Sequence, residues 1–318
     1  MKAYCVSHRK DVDGLGSGSL AVAATGGEIM LTDYDGMLEC LRRVPDDADT
    51  VVISDLGADS ADFAGFLGEL ERLSKRADVT YVDHHYLSAP ARKKILKTGV
   101  RLVHDVEECA SMLVYATFKE KLPPGALLIA LSGAVTDYMD DSPMGKELME
   151  KMDRHFVLAE STMLALALDN KGDEEGYPES LVAELSKMKR PHEIPGVPEG
   201  AVRQLQKEAG LEEVVKARGK KVGRLAYMVT TEHSTGNVAK VLIGAFDVPV
   251  GVAMKQKQPG WYEVSLRGTS KTRAHLGRTI SKIAAGLGGS GGGHQKAAGC
   301  RVPASKAEEM VAALSKKV

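Results

Sequence analysis

The sequence has few cysteines, few aromatic residues and almost no net charge, and each shortage excludes a class of protein. Its 318 residues include four cysteines, and these are scattered without a CxxC pair. That spacing argues against both a disulfide framework and a zinc knuckle. The 42 basic residues are balanced by 43 acidic ones, which gives a formal net charge of -1. A basic protein that coats long nucleic acid is therefore excluded, although a local basic groove is not.

Long apolar runs are also missing. The longest uninterrupted one lies near residues 126–131, far short of the roughly 20 residues that a membrane span needs. The first residues, MKAYCVSHRKD, contain no apolar signal segment. We therefore expect a cytoplasmic protein without a membrane partner. The length predicts two domains, because single hydrophobic cores stop growing near roughly 250–300 residues.

What the sequence does contain is an alternation of short apolar runs and helical stretches. The strand-like runs of the first half are residues 3–7, 29–32, 51–54, 79–82 and 100–104. Such alternation predicts a mostly parallel sheet covered on both faces. We predict a bilobal α/β protein with a parallel-sheet catalytic domain over 1–190, a helical linker over 191–214, and a smaller mixed-sheet domain over 215–318. The polar stretch 202–218 is interpreted as one more helix, and the glycine run at 288–293 as a loop.

Polar residues with metal-binding side chains follow four of the apolar segments. They are His8, Asp11 and Asp13; Asp55; Asp83, His84 and His85; and Asp137. Each one alone could be a helix cap or a turn residue. It is improbable that all four segments end in such residues only because caps and turns need them. In open α/β sheets, ligands bind at the carboxyl ends of strands. Carboxylate and imidazole ligands without thiolate favour Mn²⁺, Mg²⁺, Fe²⁺ or Co²⁺, and so many carboxylates indicate more than one ion.

The second half contains a glycine run that ends in His and Lys, with an Arg at a strand end upstream. The residues of interest here are Arg267, Gly291, Gly292, Gly293, His294 and Lys296. Glycines let backbone N–H groups approach an anion closely, and a guanidinium can hold a phosphate bidentately. The alternative interpretations are a flexible linker and a surface arginine. We favour a phosphate or base site.

Together these motifs resemble those of the DHH phosphoesterase superfamily, in the group with a C-terminal DHH-associated domain that includes nanoRNases, oligoribonucleases and RecJ-like enzymes. The matching segments are HRKDVDG, ISDLG, VDHH and GAVTD, followed by SLRG and GGSGGGHQKAAG. The resemblance extends over essentially the whole chain. Lys10, where the family often has proline, and the segment 138–141 after Asp137 depart from the family pattern.

The resemblance implies a role for each motif residue. His8, Asp11 and Asp55 would hold one cation, and Asp13, Asp55, His84 and Asp137 the other, with Asp55 as the bridge. Asp83 would orient a neighbouring histidine, and His85 would contact the scissile phosphate or assist the leaving group. Arg267, His294, Lys296 and the glycines Gly291, Gly292 and Gly293 would hold the substrate from the second domain. Two divalent cations are implied, with Mn²⁺ expected and Mg²⁺ or Co²⁺ as alternatives.

The expected activity is hydrolysis of short single-stranded RNA or DNA to mononucleotides by a two-metal mechanism. Alternatives within the same chemistry are a 3′-phosphoadenosine phosphate phosphatase, a cyclic dinucleotide phosphodiesterase and a RecJ-type single-strand exonuclease. A non-enzymatic partner subunit is an alternative of a different class, but such a subunit should have lost metal ligands. Oligomeric state stays open, and a homodimer is compatible with the sequence.

Overall fold

The chain divides into two units, Met1–Gln204 and Leu205–Val318. The structure, a computed structural model, describes residues 2–58, 62–293 and 295–318. The division falls inside the segment 191–214 that the sequence indicated as the linker. That segment is largely helical, and a helix over Val197–Glu208 runs across the division point.

Five parallel strands form the sheet of the first unit. They are β1 Ala3–His8, β2 Glu28–Thr32, β3 Thr50–Ser54, β4 Asp78–Asp83 and β5 Arg101–His104. Their order is β2-β1-β3-β4-β5, and every neighbouring pair is parallel. This order reverses direction between β1 and β3, which is the position where doubly wound sheets bind ligands.

In the part of the chain that the structure describes, ten helices belong wholly or partly to the first unit. They are α1 Val12–Thr25, α2 Met37–Arg42, α3 Phe63–Ser74, α4 Ala89–Lys97, α5 Ala110–Phe118, α6 Ala126–Thr136, α7 Pro143–Met149, α8 Arg154–Lys171, α9 Tyr177–Leu185 and α10 Val197–Glu208. Short 3₁₀ turns lie at Lys119–Lys121 and Pro191–Glu193. None of the helices in the described residues is both long and apolar enough to cross a membrane.

The apolar strands of the first unit are buried because helices cover both faces of the sheet. Along β3, Val52 joins a core cluster with residues of α1, α5 and α6, whereas Val51 and Ile53 join a second cluster with residues of α2 and α3. Alternate side chains of one strand point to opposite faces. Full burial of each such side chain stabilises the fold by about 1.5–3 kcal/mol. A nearly continuous apolar strand is the sequence signature of this arrangement.

A six-stranded mixed sheet forms the second unit. Its strands are β6 Lys220–Val222, β7 Leu225–Val229, β8 Val250–Gln258, β9 Trp261–Gly268, β10 Ser290–Gly293 and β11 Ala297–Pro303, and its helices are α11 Leu211–Arg218, α12 Thr235–Phe246, α13 Leu276–Gly286 and α14 Ala307–Ser315. A 3₁₀ turn occupies Ala304–Lys306. The order is β10-β11-β9-β8-β7-β6, with only β7 and β8 parallel among these pairs. The predicted fold class, a parallel sheet followed by a smaller mixed sheet, is confirmed.

Two local predictions were wrong. The glycine run is not a loop throughout, because Ser290–Gly293 forms β10 and pairs antiparallel with β11. Glycine carries no side chain, so the alternation of apolar and polar residues that marks a strand could not show there. The polar stretch 202–218 is not one helix either. It contains the end of α10 and all of α11, separated at Gly210, whose φ of 84° is incompatible with a continuing helix.

Candidate metal centre

The carboxyl ends of β1, β3 and β4 bring the predicted ligands to one edge of the first sheet. His8 is the last residue of β1, Asp55 follows β3, and His84 follows β4. All three are almost fully buried. Because β3 lies between β1 and β4, these side chains come from neighbouring strands and can converge.

The turn from β1 into α1 positions Asp11. Its Oδ1 atom accepts a hydrogen bond from the Gly14 N–H at 2.8 Å, so Asp11 is the N-cap of α1. Its Oδ2 atom lies 2.9 Å from Nδ1 of His8. Gly14 is required here because a Cβ atom would lie 2.4 Å from the carbonyl oxygen of His8. The capping role and the site role of Asp11 are thus compatible, since each uses a different oxygen.

Asp13 is fully buried in the first turn of α1, and its carboxylate is held by the start of α5. Its two oxygens accept hydrogen bonds from the N–H groups of Ala110 and Ser111, at 2.7 and 2.8 Å. A helix N-terminus stabilises a negative charge. Even so, burial and the nearby charge of Asp55 raise the pKa of Asp13 above its ordinary value. The position is therefore one where a further positive charge would be favourable.

Asp55 lies between the two buried histidines. Its Oδ1 is 3.2 Å from Nε2 of His84, and its Oδ2 is 3.6 Å from Nδ1 of His8. The backbone of Asp55 has a φ of 55°, in the left-handed region that non-glycine residues seldom occupy. Such strained positions concentrate at functional sites. Burial alone would raise the pKa of Asp55, but both histidines lower it below the ordinary value.

Asp137 completes the group from a different element, the C-terminal end of α6. The Nε2 atom of His84 is 3.6 Å from Asp137 and 3.8 Å from Asp13. Burial and the charge of Asp13 raise the pKa of Asp137 well above its ordinary value. Three carboxylates thus surround one imidazole nitrogen.

The donor atoms of this cluster fit divalent cations. Three sets of side chains have one ligand atom each within 4.8 Å of one another: His8, Asp11 and Asp55; Asp13, His84 and Asp137; and Asp55, His84 and His85. His8 and His84 form ion pairs with Asp11, Asp13, Asp55 and Asp137. The buried Nε2 atom of His8 has no hydrogen-bond partner among the described residues. Oxygen and imidazole ligands of this kind suit Mn²⁺, Mg²⁺ and similar ions.

The electrostatic surroundings of His8 also favour a bound cation. Burial lowers the pKa of His8, but the carboxylates of Asp11 and Asp55 outweigh burial and raise it to about 10. The two carboxylates therefore favour a positive charge at this position. A divalent cation would supply that charge and take the nitrogen as a ligand.

Asp83, His85 and Tyr34 form a hydrogen-bonded series beside the cluster. Nδ1 of His85 lies 2.8 Å from Oδ1 of Asp83, and the Tyr34 hydroxyl lies 3.0 Å from Nε2 of His85. The Tyr34 ring also packs on the ring of His8, with centroids 4.7 Å apart. Sequence reasoning missed Tyr34. The available signal was its position two residues after the end of β2, whose carboxyl end lies at the same edge of the sheet.

Arg267 lies on β9 in the second unit, and its side chain lies beside the start of α12. Its Nη1 atom donates to the Leu266 carbonyl at 3.0 Å, and a Cβ added to Gly236 would lie 3.0 Å from its Nη2 atom. Burial and the charge of Arg267 lower the pKa of Lys240. Lys240, on α12, is a cationic neighbour that the sequence gave no reason to single out.

Lys296 lies directly before β11, the strand next to β9, and the three glycines lie on β10, which pairs with β11. Lys296 is exposed, and its carbonyl accepts a hydrogen bond from the Gly268 N–H at 2.7 Å. Packing explains two of the glycines, because a Cβ would come within 2.4 Å of Cys300 at Gly291 and within 2.7 Å of Ala298 at Gly293. At Gly292 a Cβ would meet nothing within 4 Å, so packing does not require glycine there. His294 lies outside the described residues.

Comparison with known protein families finds a match for the second half of the chain. Residues 222–318 match the DHHA1 domain family. The match lies within the C-terminal unit, which is therefore similar to DHHA1 domains. It contains every residue that the sequence assigned to substrate binding. No curated protein matches the chain in sequence.

Solved structures share the fold of both units at low identity. RecJ from Thermus thermophilus, solved with Mn²⁺, matches with a TM-score of 0.67 and 16% identity over 99% of this chain. This chain covers only 51% of that RecJ chain, so it spans about half its length. The same RecJ has also been solved with Mg²⁺.

Two further structures have nearly the same length as this chain. With the pGpG-specific phosphodiesterase PggH of Vibrio cholerae, the match covers 98% of both chains, with a TM-score of 0.56 and 15% identity. With CDC45 from Entamoeba histolytica, it covers 99% of this chain and 95% of the CDC45 chain, with a TM-score of 0.59 and 9% identity. The resemblance to DHH proteins with a C-terminal DHHA1 domain is therefore confirmed.

Proposed function

We propose that this protein is a divalent-metal-dependent phosphodiesterase that hydrolyses short single-stranded oligonucleotides to mononucleotides as an exonuclease. One observation carries the proposal. Side chains at the ends of β1, β3, β4 and α6 and at the start of α1 converge as one cluster of carboxylates and imidazoles: His8, Asp11, Asp13, Asp55, His84 and Asp137. His8, Asp13, Asp55 and His84 are buried. Clusters of this composition are typical of two-metal phosphoester hydrolysis.

Two sets of residues would hold the cations. His8, Asp11 and Asp55 would form one site, and Asp13, His84 and Asp137 the other. Asp55, whose Oδ1 is 3.2 Å from Nε2 of His84, would also belong to the second site. Asp55 is suited to bridge them because its two oxygens face different histidines. When bound, Mn²⁺, Mg²⁺ or Co²⁺ would supply Lewis-acid stabilisation of phosphate charge and a water of lowered pKa.

The protein's own groups prepare this site. The N–H groups at the start of α5 fix the carboxylate of Asp13, so that its orientation does not depend on a ligand. The carboxylate of Asp83 accepts a hydrogen bond from Nδ1 of His85, and this orients Nε2 toward the hydroxyl of Tyr34. There His85 can contact a phosphate oxygen or give a proton to a leaving oxygen.

Few basic side chains are available to bind the phosphates of a long substrate. The net charge is -1, and the phosphate-binding candidates in the second unit are Arg267, Lys296 and, outside the described residues, His294. Tight binding of long single strands needs many phosphate contacts and shows a steep salt dependence. A substrate of about two to five nucleotides would engage the whole of such a small set. The similar length of PggH, a phosphodiesterase described as pGpG-specific, supports a substrate of this size.

The alternatives differ in substrate or in the presence of activity. Hydrolysis of 3′-phosphoadenosine phosphate or of cyclic dinucleotides uses the same metal chemistry. Because the fold is similar to that of RecJ, a RecJ-type exonuclease is a second candidate. Because it is also similar to that of CDC45, a non-enzymatic partner subunit is a third. The presence of every predicted ligand favours an enzyme over a degenerate subunit.

A length panel tests the proposal. Purified protein with Mn²⁺ is incubated with 5′-labelled RNA and DNA of 2 to 24 nucleotides, 3′-phosphoadenosine phosphate and cyclic dinucleotides, at two salt concentrations. We expect the highest kcat/KM at about two to five nucleotides and a salt effect well under 10³-fold between about 50 and 200 mM. Efficiency that rises steadily to 24-mers with a steep salt slope would indicate the RecJ-type alternative. No turnover of any substrate would refute the enzyme.

A further inference from the structure

His104, the last residue of β5, forms a hydrogen bond with the backbone of His85. Its Nε2 atom lies 2.7 Å from the His85 carbonyl oxygen. Nε2 is the donor, because a carbonyl oxygen only accepts. The strand register places His104 for this contact, since its Cα pairs with that of Asp83 at the end of the pairing between β4 and β5. A strand that supplies none of the predicted metal ligands thus reaches the segment that carries His85.

Arg92, on α4, selects the tautomer of His104 that this contact requires. The Nη1 atom of Arg92 lies 3.4 Å from Nδ1 of His104. A guanidinium group has no acceptor, so Nδ1 of His104 is the accepting nitrogen and the ring proton lies on Nε2. The protonated nitrogen is therefore the one that faces the carbonyl group of His85. In this way α4 and β5 act together on the backbone of one residue.

His85 is held both at its backbone and at its ring. His104 donates to its carbonyl oxygen, and its Nδ1 atom lies 2.8 Å from Oδ1 of Asp83. A peptide group is planar and turns as a unit, so a hydrogen bond to its oxygen restrains the backbone dihedral angle beside it. The hydrogen bond to the ring restrains the side-chain rotamer. Together the two contacts fix the position of the remaining ring nitrogen, Nε2.

These contacts act where regular structure stops. β4 ends at Asp83 and α4 begins at Ala89, and residues 84–88 form the connecting segment between them. Connecting segments are more mobile than the elements they join. A side chain that acts on a substrate must nevertheless stay within about 0.5 Å of its working position, which requires supporting hydrogen bonds. The bond from His104 provides such support for His85.

We propose that His104 is a positioning residue, which holds His85 through its carbonyl group in the orientation that contacts the scissile phosphate. Arg92 supports this role by fixing the tautomer of His104. The inference rests on the proposed function, because that proposal gives His85 its contact with the phosphate. It adds a residue that belongs neither to the sequence motifs nor to the cluster of metal-binding side chains.

Two amide variants test the hydrogen bond while keeping the side chain polar. His104→Gln retains a donor at nearly the distance of Nε2 from the backbone, whereas His104→Asn is one methylene group shorter and does not reach the carbonyl of His85. On a dinucleotide with Mn²⁺, we expect kcat to fall by about 3- to 10-fold in His104→Asn, the effect of one lost hydrogen bond. KM should stay unchanged, and His104→Gln should keep kcat near the wild-type value. His155→Asn replaces an exposed histidine on α8 and should change neither constant.

A second measurement follows the ring of His85 and requires no turnover. Long-range proton–nitrogen NMR spectra of the full-length protein with isotope-labelled histidines, recorded with Mg²⁺, distinguish the tautomers of each imidazole. We expect His104 to carry its proton on Nε2. In His104→Asn the ring signals of His85 should shift or broaden, whereas those of His8 should stay in place, and in His104→Gln both should resemble the wild type.

The outcomes separate this inference from the proposed function. Either an unchanged kcat or unchanged His85 signals in folded His104→Asn would overturn the positioning role, and so would equal losses in the asparagine and glutamine variants. A loss of kcat that follows only the unfolded fraction, measured from the urea midpoint, would assign His104 to the stability of the fold instead. Failure of the proposed function would appear as no hydrolysis of any substrate in the length panel, and the NMR spectra would then still decide whether His104 holds His85.

Discussion

The Nδ1 atom of His85 lies 2.8 Å from Oδ1 of Asp83, a carboxylate that is almost completely buried at the end of β4. Burial raises the pKa of Asp83, but the charge and hydrogen bond of His85 lower it below its ordinary value overall. The carboxylate therefore stays ionised and keeps one ring nitrogen of His85 protonated toward it. This leaves the other nitrogen facing Tyr34 and the solvent-accessible side of the cluster.

Asp83→Asn removes the charge that holds His85 in this orientation. We expect kcat to fall by about 10- to 100-fold, as for other residues that orient catalytic or ligating histidines, with KM changed much less. Steady-state kinetics on a dinucleotide measure both. Asp62→Asn is the control, because Asp62 caps α3 and lies outside the cluster. Equal losses in the two variants would contradict the positioning role.

Asp55→Asn keeps the shape of the proposed bridging side chain and removes its charge. Since one carboxylate is proposed to serve both cations, we expect a loss of kcat of at least about 10²-fold, and a lower Mn²⁺ stoichiometry in calorimetric titration. Chelation of the wild-type protein should abolish activity, and added Mn²⁺ should restore it. Full activity of Asp55→Asn at saturating Mn²⁺ would refute the two-metal assignment.

Tyr34→Phe removes a single hydroxyl and keeps the ring that packs on His8. If the hydrogen bond to Nε2 of His85 helps to orient that ring, kcat should fall by about 3- to 10-fold, the effect of losing one net hydrogen bond of about 1 kcal/mol. A loss of affinity with unchanged kcat would show that the hydroxyl contacts the substrate instead.

Gly292→Ala adds a methyl group where the structure leaves space. The C-terminal unit should fold normally, because a Cβ at this position meets nothing within 4 Å. We nevertheless expect KM to rise if the backbone of β10 approaches a phosphate. Gly244→Ala, on α12 in the same domain and equally unobstructed, provides the control and should stabilise its helix by about 0.5–1 kcal/mol.

Gly291→Ala offers the contrasting case on the same strand. Its Cβ would lie 2.4 Å from that of Cys300, so we expect a lower urea midpoint from the overpacking. Packing alone would explain the glycine run if Gly292→Ala and Gly291→Ala lowered the urea midpoint equally and neither variant changed KM.

The sequence alone determined the layered α/β architecture and the positions of the predicted ligands. Apolar runs such as the one before Asp55 are long enough to define buried strands, and parallel strands all end at one edge. Any polar residue directly after such a run is therefore placed at that edge, whatever the details of packing. His8, Asp55 and His84 are brought together by this rule alone.

Only the tertiary structure decided what depends on contacts between distant segments. Ser290–Gly293 became a strand because β11 pairs with it, and a run of glycines carries no side-chain pattern that would indicate this. Tyr34 joined the site because its loop after β2 folds over His8 and His85. The left-handed backbone of Tyr138 follows from how α6 ends, where hydrogen bonds between backbone groups override the preference of the side chain.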